Sequence, residues 1–437
     1  MIPIPSSDFP RVIIVGGGFA GVKLVKKLKN LPVQIVLFDR NNYHTFQPLL
    51  YQVATAGLEP DSIADPLRKQ LEPVKNFFFR MAEVHTIDSE NNKIFTEIGE
   101  LGYDYLVIAT GSRTNFFGNV SIMQHAFPLK QIPQALDLRS HILQNFEAAT
   151  ITEDLMEKKS RMNIVIVGGG PTGVEVAGAL GELKKTILPK DYPELDFEKM
   201  SIILLEGSPR LLGGMSEVSS ERAMKYLKKF HVQVYLNTFV EDYDGHAAKL
   251  SNGEEINTHT LIWAAGVKGN YPEGLSPSSL ERDRILVDEC NRVKGYDNIF
   301  AAGDIASMKS EEYQRGHPML APVAIQQGNH LAKNFKRLLK GEELKPFTYL
   351  DKGSMATVGR NKAVVDLPGN ARLGGFMAWG IWMFVHLISI IGFRNKLVVF
   401  LNWVWNYFTY DKGTRLIIRK FVPKRLRMQQ KELEVTK

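Results

Sequence analysis

An α/β architecture built twice within one chain of 437 residues is what the sequence predicts, and three observations predict it. A glycine-rich turn occurs twice, Gly16-Gly17-Gly18-Phe19-Ala20-Gly21 and Gly168-Gly169-Gly170-Pro171-Thr172-Gly173, with the two copies 152 residues apart. Each follows an apolar β-type run, Arg11 to Val15 and Asn163 to Val167, and leads into helical sequence, Val22 to Leu28 and Val174 to Leu183. Each is answered, 93 and 96 residues on, by a second β-type run that closes in Ala109-Thr110-Gly111 or Ala264-Ala265-Gly266.

Strand, glycine turn and helix in this order cradle a pyrophosphate, because the backbone can approach it closely and the helix N-terminus meets its charge. The chain is therefore expected to hold two Rossmann-like dinucleotide-binding domains. Each should also place an acid at the end of the following strand, where a carboxylate accepts from ribose hydroxyls. Asp39, followed by Arg40, closes Val33 to Phe38 at the usual distance. Glu206 closes Ile202 to Leu205 later than usual, a delay explained by a polar insert from about Lys184 to Met200 that carries Pro189 and Pro193. An acid at this place favours NADH over NADPH by repelling a 2′-phosphate, and the nearby Arg210 moderates that preference. A third strand-like run, Asn298 to Ala302, ends in Gly303-Asp304, an aspartate suited to a flavin's ribityl chain or pyrophosphate.

Composition narrows the class further. The chain is 44% hydrophobic and 23% charged, as in an ordinary globular protein of two or three domains. Its single cysteine, Cys290, excludes an intramolecular disulfide framework and fits a reducing compartment. Residues Met1 to Pro10 have neither a basic start nor an apolar core, so the nucleotide-binding part is expected to face the cytoplasm. The sequence gives no grounds for a metal site.

The order of first fingerprint, Ala-Thr-Gly, second fingerprint, Ala-Ala-Gly and Ala-Ala-Gly-Asp resembles the two-dinucleotide-binding-domain flavoproteins over residues 11 to about 340. The resemblance implies FAD, held non-covalently, at the first site and NAD(P)H at the second. It implies FAD contacts from Gly16, Gly18, Phe19, Ala20, Gly21, Asp39, Arg40, Gln52, Val84, Ala109, Thr110, Gly111, Gly303, Asp304 and Val323. Gly168, Gly170, Pro171, Thr172, Gly173, Glu206, Ala265 and Gly266 fall to the dinucleotide substrate. The expected division is residues 1–115 and 291–345 for a discontinuous FAD domain, 116–290 for the NADH domain with a connecting helix, and 346–437 for a C-terminal region.

Members of this superfamily that relay electrons through a cysteine pair need two protein sulfurs, which this chain lacks. The stretch Asn42 to Ala54 (Asn-Tyr-His-Thr-Phe-Gln-Pro-Leu-Leu-Tyr-Gln-Val-Ala), the run Gly168 to Glu175, and Ala321 to Gly328 resemble the type II NADH:quinone oxidoreductases, single-subunit and non-proton-pumping. That likeness implies that NADH reduces the flavin and a membrane quinone reoxidises it. It also implies that Glu175, in the first turn of its helix, helps deliver protons to the quinone; a purely dipolar role at the helix start is the alternative. Where the family's Ala-Gln-x-Ala-x-Gln motif has its first glutamine this chain has Pro322, so Gln326 is the candidate for the quinone. A membrane-attached NADH-dependent flavoreductase with a soluble acceptor keeps all these motifs, as does a non-enzymatic NADH-responsive signalling flavoprotein.

The C-terminal region carries the membrane signal. Leu373 to Phe393 is 21 residues without a formal charge, and Leu397 to Tyr410 is a second uncharged run. Trp379, Trp382, Trp403 and Trp405 suit a membrane–water boundary, the more so beside a Trp-rich, glycine-broken run that resembles the family's anchoring C-terminus. From Arg394 to Arg427 there are nine basic residues against Asp411, so the net charge of +7 belongs to the tail. This favours anionic lipid as partner and argues against nucleic acid. Two amphipathic helices lying in the interface explain the glycines and the two short runs better than a single span or a dimerisation surface. The expected location is the cytoplasmic face of the cell membrane, peripheral and monotopic; homodimer formation is left open.

Overall fold

The computed structural model describes residues 1–72, 74–411 and 413–422, which form two compact units. The first comprises Met1–Thr45, Ala64–Arg113 and Val267–Asp351. At its centre is a five-stranded sheet in the order Ile299–Ala301, Tyr105–Ile108, Arg11–Val15, Gln34–Asp39 and Phe77–Met81. Every neighbouring pair is parallel. Such a sheet is covered on both faces, so its strands read as continuous apolar runs. Val12 and Ile14 pack with Leu24, Leu28, Leu331 and Phe335 from the helices Phe19–Leu28 and Ala321–Leu338. Ile13 and Val15 point the other way, to Ile87, Ile94 and Leu101 of a three-stranded antiparallel sheet.

The second unit comprises Phe46–Ile63, Thr114–Gly266 and the chain from Lys352 on. Its parallel sheet runs Phe127–Pro128, Thr260–Trp263, Ile164–Val167, Ile202–Glu206, Val232–Leu236. The sequence repeat is thus a structural one. In each unit the fingerprint strand lies between the strand that ends in the acid and the strand that closes in glycine. The insert after the second fingerprint helix is less polar than it reads. Tyr192 and Phe197 are buried against Phe146, with ring centroids 5.6 and 5.8 Å away.

The units divide the chain elsewhere than the expected bounds: the chain from Lys352 on groups with the second unit, and two further stretches change sides. Arg284–Val287, assigned from sequence to the NADH domain, pairs in parallel with Ala306–Met308 and belongs to the first unit. Phe46–Ile63, assigned to the FAD domain, groups with the second unit, where the helix Leu50–Ala54 packs on Ile132–Ile151 and on Pro171–Thr186. Both departures are long-range packing choices that a motif search does not see.

The C-terminal region opens with an antiparallel sheet, Ser354–Gly359, Lys362–Asp366 and Arg372–Gly374, followed by the helices Gly375–Ser389 and Phe393–Thr409. The first strand lies directly on the helix Pro171–Thr186. A side chain at Gly178 would collide with the carbonyl oxygen of Val358, so glycine is needed for this approach. The middle strand is tied down by Asp366, which accepts from Ser216 N (2.5 Å), Ser216 Oγ (2.9 Å) and Ser219 Oγ (2.7 Å). Replacing Asp366 with Ala strands these donors, one of them on the fully buried Ser219. The expected cost is about 2–3 kcal/mol, read as a lower denaturation midpoint of the tryptophan signal; an unchanged midpoint would show that the network does not hold the sheet.

Candidate active site

The two cradles share one geometry. Gly16 and Gly168 have φ of +109° and +108°, values open to glycine, and their N–H groups donate to Phe38 O (2.7 Å) and Leu205 O (2.8 Å). A Cβ on Gly21 would run into Gly16 O, and one on Gly173 into Gly168 O. Each helix is therefore packed on its own turn with no room for a side chain. The acids complete the match. Asp39 accepts from Gly17 N (2.6 Å) and Asn41 N (2.7 Å); Glu206 accepts from Gly169 N (2.5 Å) and Ser208 N (2.7 Å). Burial raises the Asp39 carboxyl above its ordinary range, and the N–H groups of Asn41 and Gly17 pull it back.

In the first unit the residues fit FAD. Around the turn lie three buried polar atoms, His44 Nε2, Thr110 Oγ1 and Gln327 Nε2, without a partner among the described residues. Gly18 has only Ala109 O at 4.0 Å from a built Cβ, and Gly111 has nothing within 4 Å, so space stands open over both. His44 holds the turn from below, its Nδ1 2.9 Å from Gly17 O and its ring edge-on to Phe19 at 5.0 Å. A carbonyl can only accept, so Nδ1 carries the hydrogen and Nε2 is left as a buried acceptor. Ser112 Oγ donates to Asp304 at 2.5 Å. Ala20 is buried beside the turn, as are Ala109, Gly303 and Val323, while Arg40 is exposed next to Asp39. Val84 is buried in the antiparallel sheet, opposite Thr96.

Two sequence-derived candidates sit differently from expectation. Gln326 gives both ends of its amide to the backbone of Leu350, donating to its O at 2.9 Å and accepting from its N at 3.0 Å. It acts as a brace within the first unit rather than as a free ligand group. One residue on is a turn of about 100° around the helix, and this takes Gln327 inward with Val323, Ala324 and Leu331. Its Oε1 accepts from Gly303 N at 2.7 Å. Gln52, expected at the flavin, belongs to the second unit and spends its amide there, as described next.

In the second unit, Gly170 stands at the N-cap and Pro171 opens the helix, both next to exposed Thr172. Ala265 is partly buried and Gly266 exposed at the end of the closing strand. Arg210 donates to Met215 O and Gly213 O, both at 2.8 Å, so its guanidinium is committed to its own loop. The moderating role expected of it is correspondingly weak.

A cavity of about 120 Å³ opens in the second unit beside Glu175. A space of about 150 Å³ takes one benzene ring, so this one has the scale of a single aromatic ring. Glu175 reaches it from the second turn of its helix and is 8% exposed. Burial pushes its carboxyl up to about 8; the N–H of Thr357, 3.4 Å away, and the indole of Trp382 pull it down more weakly. Near neutral pH it is a protonated, neutral acid. Trp382 is buried, and His386 stacks on it at 4.0 Å. Burial pushes His386 down to about 4, so it stays neutral, its Nδ1 2.8 Å from Trp382 O. On the other side Trp403 Nε1 donates to Gln52 Oε1 (2.9 Å) and Gln52 Nε2 to Tyr51 Oη (2.9 Å).

Trp382 and Trp403 are therefore cavity walls, 2% and 7% exposed, and not boundary anchors as expected; Trp405 is 62% exposed. Helical periodicity explains the split. On Phe393–Thr409 the residues turned inward are Asn395, Val399 and Trp403, with Asn402 bonded to Glu59 at 2.9 Å. Those turned outward are Phe393, Leu397, Phe400, Leu401, Val404, Trp405 and Phe408. On Gly375–Ser389 the exposed set includes Phe376, Met377, Phe384 and Ile388. No helix among the described residues is long and apolar enough to cross a membrane. The basic tail also differs from expectation: Arg415 pairs with Asp191 at 2.6 Å and Arg419 with Asp137 at 2.7 Å, both inside the second unit. Lys412, Lys424, Arg425 and Arg427 lie outside the described residues.

Tyr51, Thr357 and Arg360 line the cavity and went unnoticed in the sequence. Tyr51 stands in a motif quoted above, but nothing in its neighbourhood marks its hydroxyl; the other two lie on a hairpin without a motif.

The fold and its paired cradles define the class. Residues 10–328 match the profile of the pyridine nucleotide-disulphide oxidoreductases, and residues 352–410 that of the NDH2 C-terminal domain. The type II NADH:quinone oxidoreductase Ndh of Mycobacterium tuberculosis is 35% identical, the alignment covering 96% of this chain and 93% of that protein. The Staphylococcus aureus type II NADH:quinone oxidoreductase is 30% identical over 85% of this chain and 94% of its own. The chain belongs to the type II NADH:quinone oxidoreductase family. Its fold is shared with Plasmodium falciparum NDH2 solved with NADH, at a TM-score of 0.85 and 22% identity, covering 94% of this chain and 100% of that one. The Aquifex aeolicus sulfide:quinone oxidoreductase is similar in fold at a TM-score of 0.70 and 19% identity.

The paired geometry sets an expected outcome for Gly173→Ala. The added methyl collides with Gly168 O in the second cradle and touches nothing in the first unit. NADH affinity should fall at least about tenfold, the scale of one small steric cost of 1–3 kcal/mol, while flavin content read by absorbance is unchanged. Loss of flavin with intact NADH binding would reverse the assignment of the cradles.

Proposed function

We propose that this protein oxidises NADH at the second cradle and passes the electrons by way of FAD, held by the first, to a membrane quinone in the Glu175 cavity. The observation that carries the reading is a ring-sized cavity, walled by an uncharged carboxylic acid, in the unit whose last helices turn their apolar faces outward. Bound FAD supplies the two-electron chemistry. His44, Thr110, Asp304 and Gln327 are the side chains that would hold it. Glu206 receives the adenosine ribose of NADH, and its carboxylate repels a 2′-phosphate.

Glu175 holds a proton where quinone reduction consumes protons. Its folded pKa, about 8, lies above the ordinary carboxyl value of 4.5. The fold therefore favours the protonated form, and stability declines as pH rises from the ordinary value through about 8, where the ion must be buried. The same rise removes the acid. Turnover with a short-chain quinone should fall above about pH 8 in the unaltered enzyme. Glu175→Gln should be slower by about a hundredfold, within the range for a positioned acid, and should lose that limb. A variant that keeps the limb would assign it to another group.

The outward apolar faces support monotopic attachment, with the cytoplasmic side as the expected location. Large apolar side chains in water are unfavourable by about 1.5–3 kcal/mol each relative to burial, and a lipid interface covers them. Exposed Arg394, 3.8 Å from Asp61, and partly buried Lys396, which donates to Ile388 O at 2.8 Å, stand at the start of the last helix, where their charge suits anionic headgroups. Leu401→Glu with Phe408→Glu should lower cosedimentation with anionic vesicles at least tenfold without loss of flavin. Unchanged pelleting would remove this surface as the attachment site.

A further inference from the structure

We propose that Tyr51 donates its phenolic hydrogen to a carbonyl oxygen of the quinone in the cavity, and that Trp403 and Gln52 fix the direction of that hydrogen bond. The inference rests on the reading of the cavity as the quinone site. It follows from donor and acceptor accounting. An indole N–H can only donate, so the Gln52 atom 2.9 Å from Trp403 Nε1 is the carbonyl oxygen Oε1. Trp403 thereby settles the orientation of the Gln52 amide, since the flipped amide would oppose two donors. The other end of that amide is then the NH2 group, which can only donate, and at 2.9 Å it donates to Tyr51 Oη. The phenol oxygen is thus an acceptor toward Gln52, and its own hydrogen is left to point elsewhere. Among the described residues it donates to no protein acceptor.

The surroundings define what would accept it. Tyr51 lines the cavity together with Glu175, Trp382 and Trp403, and its ring meets Trp382 edge-on at 6.4 Å. Burial pushes the phenol well above its usual range, and the nearby Glu175 adds to this, so the hydroxyl stays protonated throughout the working pH range. A group that stays a donor, on the wall of a ring-sized space, suits a neutral acceptor such as a quinone carbonyl. It does not suit a cation. The hydrogen bond draws electron density toward the carbonyl oxygen as the ring is reduced, and Tyr51 keeps its proton. Trp403 and Gln52 touch no substrate; they act on it through Tyr51.

The test uses the full-length flavin-loaded enzyme, reduced with NADH without oxygen and mixed with a short-chain quinone while flavin reoxidation is followed. Tyr51→Phe should slow reoxidation, or raise the quinone concentration that half-saturates it, by five- to tenfold, the scale of one neutral hydrogen bond. Trp403→Phe should do the same with Tyr51 still present, because the freed Gln52 Oε1 then takes the phenol hydrogen. The double variant should be no slower than Tyr51→Phe alone, a non-additivity that lost packing would not produce. Retained flavin and a reduction rate by NADH within twofold certify folding. A Tyr51→Phe enzyme as fast as the unaltered one overturns the inference, and additive slowing in the double variant overturns the directional role of Trp403. Ala179→Phe, or the smaller Ala179→Leu, fills the cavity; if either leaves reoxidation unchanged, it is the reading of the cavity that fails. Blocked reoxidation in these variants beside an unaffected Tyr51→Phe enzyme rejects the Tyr51 proposal alone.

Discussion

The close approach of the strand Ser354–Gly359 to the second fingerprint helix is the contact on which the rest of the second unit depends. Gly178 leaves no side chain between them, and a methyl there would meet the Val358 carbonyl. With the two backbones in contact, two acids of the same helix grip the hairpin: Glu175 toward Thr357 N, and Glu182 as acceptor of the Arg360 N–H. Arg360 carries the grip onward. Its guanidinium donates to Tyr407 O at 2.8 Å and Asn406 O at 2.5 Å, closing the carbonyl end of the last helix, and lies 3.5 Å over the Tyr410 ring. Cations at a helix C-terminus complement its dipole. One helix thus begins as a dinucleotide cradle, supplies the cavity's acid, and anchors the outward-facing helices.

The last helix inverts the usual arrangement of a soluble amphipathic helix. Its asparagines face the protein, and its leucines and aromatics face out. The buried amides are matched by partners such as Glu59, so the polar face costs little. Among the described residues, none covers the apolar face. On the proposed function, lipid would answer that imbalance and bring an apolar substrate to the elements that wall the cavity. On the same proposal, the acid and the attachment surface would belong to one design, with Glu175 and the outward-facing helices both anchored to the second fingerprint helix.

Much of this was legible in the residues. Glycine spacing located both cradles, and strand-end acids at Asp39 and Glu206 fell where the backbone N–H groups need them, because turn geometry is local. Glu175 is readable as a helix-start carboxylate, but its neutrality depends on the Val358 strand and Trp382, which come from about two hundred residues further along the chain. Gln326 and Gln327 show the limit more sharply. Adjacent glutamines on a helix differ by a rotation, and only the packed neighbours decide which one faces inward. Composition puts the tryptophans in one class, yet Trp382 and Trp403 wall a cavity while Trp405 faces out, a distinction set by helix phase. The charge of the tail misled in part, since Arg415 and Arg419 are spent on internal partners that no local pattern reveals.

The central claim is that quinone is reduced in the cavity of the second unit beside Glu175. Photolabelling the NADH-reduced, vesicle-bound enzyme with an azidoquinone, followed by peptide mapping, tests it most directly. The account predicts label on the Tyr51, Met383 and Trp403 segments, competed away by unlabelled quinone. Competable label confined to segments of the first unit, with none on these three, would contradict it.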